Sequence, residues 1–472
     1  MNHKTICMKI IISTIVFTFI SIFTFAQTNV SGGIYQNTTW TLSGSPYVVN
    51  SSIVVFPGKT LTIEPGVEIQ INNQNNSNIY IETRGTINCV GTDAQPIKIH
   101  ALYDTLSTVA WQGFVCTSSQ GGVLNADRIE ISNAYFPLSY ETIPATLSYT
   151  NSKFIRCFQA VTVGTNLNLS GCEFIDNEVG VYGWANFNFN NCLFKDNTTS
   201  LYIYASAFAM SNCSFIDNQI GASFLANAVD SIVIANCEFL NNGLALNYPN
   251  NGRVENCEFS DNGTAVQAAY NCEIQNNTFF YNILAIEATV DANIHNNQIN
   301  NNAEGIIISN VTSIQDSPSI YDNEICGNTY YNVNNNTNMN YSLFSNCFCD
   351  LDSAQIEAYL IDGYDDITKG LINYQIYDSS CTVLLGNVVK FGAGVGLEEN
   401  AFDFSFENPV QHDLQLLGYP EVKQIVLQNT SGQTFYFTSS TYNTFDLSRL
   451  APGYYFIVKL DQQGVSKALV KY

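Results

Sequence analysis

A seven-residue phrase that returns about every 21 residues constrains this chain more than any other feature. It reads GCEFIDN at 171–177, NCLFKDN at 191–197, NCSFIDN at 212–218, NCEFLNN at 236–242 and NCEFSDN at 256–262. It fades but stays legible as NNTFFYN at 276–282, NNQINNN at 296–302 and DNEICGN at 322–328. Counted from Ser152 through the second position of each phrase to Asn323, the steps are 20, 20, 21, 24, 20, 20, 20 and 26. That period is too short for helical-hairpin repeats and suits one turn of a β-solenoid. The 58 Asn among 472 residues fit the same picture, because Asn is poor in helix interiors and common in tight turns.

Within each repeat the alternation has period two, as in strands. One inward column is Val181, Leu201, Ala222, Leu246, Val266, Ile286 and Ile306, and two residues on comes Gly183, Ile203, Phe224, Tyr248, Ala268, Ala288 and Ile308. The residue before the first column is always small, from Gly180 and Ser200 to Gly305, which lets neighbouring backbones approach. A second face carries Leu169, Phe189, Met210, Ile234, Val254, Ile274, Ile294 and Ile320. The third carries Phe154, Phe174, Phe194, Phe215, Phe239, Phe259, Phe279, Ile299 and Ile325. Three strand-like stretches per period predict an all-β fold, a right-handed parallel β-helix whose turns stack about 4.8 Å apart.

On that frame Cys172, Cys192, Cys213, Cys237 and Cys257 occupy one place on successive turns, continued by Asn277, Asn297 and Asn323. Three readings are open: an inward ladder of free thiols, disulfides between adjacent turns, or a metal. Asp176, Asp196, Asp217 and Asp261 stack in a turn, either capping their own backbone or holding Ca²⁺ between turns. Asp362, Asp365 and Asp366 offer a further acidic group. No other cofactor is indicated.

Chemistry is sparse on the outward positions. Lys153, Glu173, Glu238, Arg253, Glu258, Glu273, Glu287 and Glu324 fall singly, with Arg253 and Glu273 expected to pair across adjacent turns. Lyase chemistry wants a base beside a bound cation, and hydrolysis wants converging carboxylates. The unusual outward feature is aromatic: Tyr182 and Trp184 on one turn, Tyr202 and Tyr204 on the next. Such a block is a platform on which sugar rings stack. The competing expectation is that residues 133–150, with Tyr135, Phe136, Tyr140 and Tyr149, fold over it.

Forty Asp+Glu against 17 Lys+Arg give a net charge of −23, which excludes nucleic acid and anionic lipid as partners. Lys4 and Lys9 precede an apolar run from Ile10 to Phe25, and Ala26 ends a cleavage site, so residues 1–26 read as a secretory signal peptide. The run has 16 residues where a membrane span needs roughly 20. The mature chain is therefore expected outside the cell without a transmembrane segment, with 13 of its 14 Cys.

Residues 27–345 are read as the β-helix with its N-terminal cap. The phrase LTIEPGV at 61–67, with Trp111 to Phe114 further on, resembles the opening turns of bacterial surface β-helix proteins. Residues 346–400 are read as cap and linker: 353–361 has helical spacing, and Cys347, Cys349 and Cys381 are candidates for a disulfide across the cap. Residues 401–472 run NPV at 408–410, SGQ at 431–433, LAPGYY at 450–455 and a basic end with Lys467 and Lys471. That order resembles the C-terminal sorting domain of the type IX secretion system of Bacteroidetes, with FENP at 406–409 in place of the usual Tyr-Pro-Asn-Pro. The resemblance implies a small β-sandwich that engages the type IX secretion machinery. The whole reads as a secreted or cell-surface module that binds glycans. The alternative is a polysaccharide lyase or glycoside hydrolase on the same scaffold.

Overall fold

The computed structural model describes residues 27–374, except 76, 104–105, 141–145, 185, 205–206, 225–230, 312, 314–315 and 350, together with the greater part of 413–471. Residues 1–26, read above as a signal peptide, and Cys381 lie outside the described residues. The chain forms two compact units, divided between Lys390 and Phe391.

The first unit is a parallel β-solenoid of about twelve turns. Each regular turn contributes one strand to each of three parallel sheets. One holds short strands such as Glu173–Ile175 and Leu193–Lys195, the second holds Val179–Gly183 and Thr199–Ile203, and the third holds Asn186–Asn190 and Ala207–Ser211. Register is strict: Phe174 pairs with Phe194, Phe194 with Phe215, and Phe215 with Phe239. The Phe column is buried throughout, its rings stacked 4.6–5.2 Å apart from Phe154 to Phe279.

Two corners flank each short strand, and both are left-handed. Before the Cys or Asn position stand Asn191, Asn212, Asn236 and Asn256 at φ of 53 to 55°, and before the next ladder stand Asp176, Asp196 and Asp217 at 56 to 58°. Asn and Asp tolerate this region best after Gly, which accounts for much of the Asn and Asp content. Gly171 and Gly327 take the same corners with positive φ. At Gly180 the reason for a small residue differs: a Cβ there would lie 2.5 Å from the Ser200 carbonyl oxygen.

The interior carries two polar ladders. Asn177, Asn197, Asn218, Asn242, Asn262, Asn282, Asn302 and Asn328 are buried, and each amide donates to the Oδ1 of the next at 2.9–3.0 Å. The same amides donate to backbone carbonyls, as Asn218 does to Phe194, so the buried amide nitrogens of this ladder have acceptors. The second ladder is the Cys column, which continues as Asn277, Asn297, Asn323 and Asn346.

One of the expected inward positions is corrected. Tyr248 is 42% exposed at φ 52°, and on the following turn the register shifts between Val266 and Ala269, where buried Ala269 pairs with Ala288.

The last turn is closed by a helix and a returning strand. Helix Ser353–Glu357 starts in a capping box between Asp352 and Gln355, shorter than its spacing predicts, and Leu360–Ile361 then adds to the second sheet beside Val333 and Asn334. Asp362 is fully buried and accepts from the backbone N–H of Ile372 at 2.7 Å and of Tyr364 at 2.8 Å. Its carboxylate is spent on the chain's own turn, and Asp366 likewise caps Thr368. The cap disulfide joins Cys349 to Cys326 on the preceding turn, a partner absent from the expected set.

The second unit is antiparallel. Gln424–Asn429 pairs with Thr434–Thr438 on one side and Gly453–Leu460 on the other, Gln463–Lys471 follows, and Asp413–Gln415 pairs with Thr444–Asp446. Leu414, Ile425, Leu427, Phe437 and Phe445 are buried within it.

Candidate functional site

The four aromatic residues come together on the second sheet. Thr162, Tyr182, Tyr202, Ser223, Asn247 and Gln267 form one outward column in consecutive register. Tyr182 and Tyr202 stack at 5.6 Å with an interplanar angle of 11°. Trp184 and Tyr204 follow just past their strands, where their backbone N–H groups still donate across turns to Val163 and Gly183. Each stands edge-on to the tyrosine pair: Trp184 to Tyr182 at 6.1 Å and Tyr204 to Tyr202 at 5.6 Å. Trp184 is 51% exposed and Tyr204 39%. The result is a wall-and-floor arrangement of rings rather than one flat plane.

Its borders are specific. The indole of Trp184 lies over Gly164, where a Cβ would come within 2.8 Å of Nε1, so that glycine makes room for the ring. A hydrogen bond with Tyr202, with burial second, raises the Tyr204 phenol above its ordinary range. Past Tyr202 the column turns polar: Asn247 donates to the Ser223 hydroxyl at 3.1 Å, while its Oδ1 is buried with no hydrogen-bond partner. An aromatic floor with a polar border suits a ligand that has both an apolar face and hydroxyl groups. Exposed Tyr248 adds a further ring at this border, which periodicity misassigned to the core.

The covering segment goes elsewhere. Tyr135 and Phe136 pack on each other and on Phe158 at 4.3 to 6.5 Å, and Tyr149 is buried against Phe154 with its hydroxyl 3.2 Å from that of Tyr140. Residues 141–145 of that segment lie outside the described residues.

The outward charges are also rearranged. Arg253 and Glu273 are register neighbours, but Arg253 pairs with Glu255 at 3.0 Å and Glu273 with His295 at 3.3 Å. The i, i+2 partner on the same strand wins because it lies on the same face without a neighbouring turn having to hold register. Lys153 and Glu173, expected singly, bridge at 2.8 Å. His295 stacks on Tyr321 at 5.0 Å, and Glu273 lines a cavity of about 580 Å³ with Asn251, Asn271, Asp291 and Asn293. This groove on the third sheet gathers two carboxylates and several amides that the sequence scattered, and His295 reaches Glu273 from beside it.

Asp176, Asp196 and Asp217 occupy one exposed corner on consecutive turns. Asp176 faces Arg156 at 3.8 Å and Asp217 accepts from Asn241 at 2.7 Å. Burial raises Asp196, Lys195 lowers it, and the charges of Asp217 and Asp176 raise it again. Among the described residues this column does not bring three ligand atoms within cation reach. Cys172, Cys192, Cys213, Cys237 and Cys257 are buried and unbridged. The Sγ atoms of Cys192, Cys213, Cys237 and Cys257 donate to the carbonyl two residues back at 3.3–3.4 Å, so the free-thiol reading holds for the ladder. Burial, first among the causes, pushes Cys213 and Cys237 well above the usual thiol range.

No described helix is long and apolar enough to cross a membrane. Over 71 residues, 15% of its length, the chain is 38% identical to Protein bark beetle of Drosophila melanogaster, of which the match covers 2%. Residues 32–135 match the pectate-lyase-like β-helix domain, so the opening turns of this solenoid are similar to that family.

Proposed function

We propose that this chain is an exported β-helix protein that binds glycans at the outer cell surface or after release, using Tyr182, Trp184, Tyr202 and Tyr204. The supporting observation is the half-exposed ring cluster, with Trp184 and Tyr204 standing edge-on to the stacked Tyr182 and Tyr202. Sugar rings present C–H faces to aromatic floors and hydroxyls to polar side chains at the edge. The similarity of residues 32–135 to a pectate-lyase-like domain agrees with a carbohydrate ligand. Export follows from the signal-peptide reading of residues 1–26. It also follows from the resemblance of 401–472 to a type IX sorting domain of Bacteroidetes, a β-sandwich whose partner is the secretion machinery. Deleting 401–472 should leave the protein inside the outer membrane, read by protease protection of whole cells.

Soluble glycans offered to the full chain should be retained, and the triple change Tyr182→Ala, Trp184→Ala, Tyr202→Ala should weaken retention about tenfold or more. Unchanged retention in a folded triple variant overturns the assignment. A second reading, polysaccharide lyase or hydrolase, is favoured by the groove that pairs Glu273 with His295 beside Arg253. Product release that disappears in Glu273→Gln, while binding to the rings persists, would select it.

A further inference from the structure

The ring cluster and the third-sheet groove lie on one edge of the solenoid, where the chain leaves the second sheet and enters the third. Exposed rings recur along that edge. Trp184 stands between strands Val179–Gly183 and Asn186–Asn190, and Tyr204 between Thr199–Ile203 and Ala207–Ser211. Tyr248 stands between Leu244–Asn247 and Gly252–Glu255, and Tyr270 between Thr264–Ala269 and Glu273–Gln275. All four are 39–51% exposed. The turn between Tyr204 and Tyr248 has residues 225–230 at this edge, outside the described residues. Large rings gain by leaving water, so a row of them kept exposed along one edge marks a surface for a ligand. Turns stack about 4.8 Å apart, so the four steps from Trp184 to Tyr270 cover about 19 Å along the axis. A single sugar ring cannot span that length, and a linear chain can.

The row runs into the groove. The Tyr270 carbonyl accepts from the backbone N–H of Asn251 at 3.2 Å, and Asn271 follows Tyr270 in the chain. Asn251, Asn271 and Asp291 take left-handed corners on successive turns, with φ from 44 to 55°, and all three are exposed. The Asn271 amide donates to the Asn251 Oδ1 at 2.6 Å, which lines the two amides up along the axis. Amides both donate to and accept from hydroxyl groups. The Glu273 and Asp291 carboxylates accept from hydroxyls and repel an anionic ligand, and among the described residues lining the groove there is no Lys or Arg to offset them. The net charge of −23 acts in the same direction. Resting on the glycan assignment of the ring cluster, we infer that one neutral, linear polysaccharide lies along this edge, parallel to the solenoid axis. It crosses Trp184, Tyr204, Tyr248 and Tyr270 and reaches Asn271, Glu273 and Asp291. The cluster and the groove are then two subsites of one track, several sugars apart.

The test runs the full chain through native gels that contain hydroxyethyl cellulose, glucomannan, arabinoxylan or laminarin, beside gels with polygalacturonate or alginate. At least one neutral polymer should retard it, and the acidic ones should not. Fragments of the retarding polymer then compete for binding, and its hexasaccharide should compete about tenfold or more better than its disaccharide. Tyr270→Ala changes an exposed residue, and circular dichroism checks that it folds. It should weaken the hexasaccharide about three- to tenfold and narrow the gap to the disaccharide, whereas Trp184→Ala should weaken both. Equal competition by the two fragments, parental hexasaccharide binding by folded Tyr270→Ala, or retardation by the acidic polymers alone overturns the track and leaves the ring cluster as a local glycan site. Retardation by no polymer overturns both.

Discussion

One interior column is written in two alphabets. From turn 172 to turn 257 it is Cys, and from 277 to 346 it is Asn, with the same backbone geometry in both halves. In the Cys half the backbone N–H of Cys192 donates to the Cys213 sulfur at 3.4 Å, and Cys237 to Cys257 at the same distance. In the Asn half the N–H of Asn277 donates to the Asn297 Oδ1 at 3.0 Å, and its amide donates there as well at 3.1 Å. At the junction Cys257 donates to Asn277 at 2.8 Å, so the pattern passes from sulfur to amide without a break. The position therefore asks for a small group that accepts from the next backbone N–H, and both residues satisfy it. They differ in what they lose when removed. The amide carries several strong bonds per turn, whereas the thiol carries weak bonds and behaves chiefly as packing.

The largest expected effect breaks the Asn half. Asn297 is fully buried and bonds Ile274, His295 and Asn323 while accepting from Asn277. Asn297→Ala strands several buried donors and acceptors at once and should cost about 4 kcal/mol in urea unfolding followed by far-ultraviolet circular dichroism. Cys213→Ala removes one thiol that accepts at 3.4 Å and donates to Ser211 at 3.3 Å, and should cost about 1–2 kcal/mol. If the two costs are equal, the halves are energetically alike and the distinction drawn above is wrong.

Much of this architecture is legible in the sequence because each column repeats a residue that the turn cannot do without. The Phe stack, the Asn ladder and the small residues at Gly180 and Gly221 all repeat at fixed spacing, and stacking identical turns turns that spacing directly into space. What escapes is whatever happens once. Tyr248 leaves the core because the left-handed backbone at that residue turns its side chain outward, which no column average reveals. Arg253 pairs within its own strand to Glu255, and a choice between two nearby carboxylates is set by side-chain reach rather than by register. The aromatic block was legible as Tyr182 with Trp184 and Tyr202 with Tyr204 on adjacent turns, but the buried, unpartnered Asn247 carbonyl was not, since a missing partner has no sequence signature. Cys326 sits inside the faded repeat as DNEIC, at a place held by Asn300 one turn earlier, and only the stacked closing turn brings Cys349 against it.

The smallest effect sharpens the comparison through pH. Burial, as first cause, raises Cys213 well above the value of about 8.5 that an unfolded thiol has. The folded chain then keeps a proton that the unfolded chain gives up, so the thiol's contribution is complete below about pH 8.5 and is lost as pH rises towards the folded value. The loss runs at about 1.4 kcal/mol per pH unit for one buried thiol. Lysines and tyrosines also titrate there, so the useful quantity is the difference between the parent and Cys213→Ser. That difference should be constant from pH 6 to 8 and should shrink by about 1 kcal/mol or more by pH 10, because the serine has no proton to lose. The same comparison for Asn297→Ala should be flat over the whole range, since an amide does not titrate. A Cys213→Ser difference that stays flat to pH 10 would mean that the ladder thiol is open to solvent and that the Cys half is not dry packing.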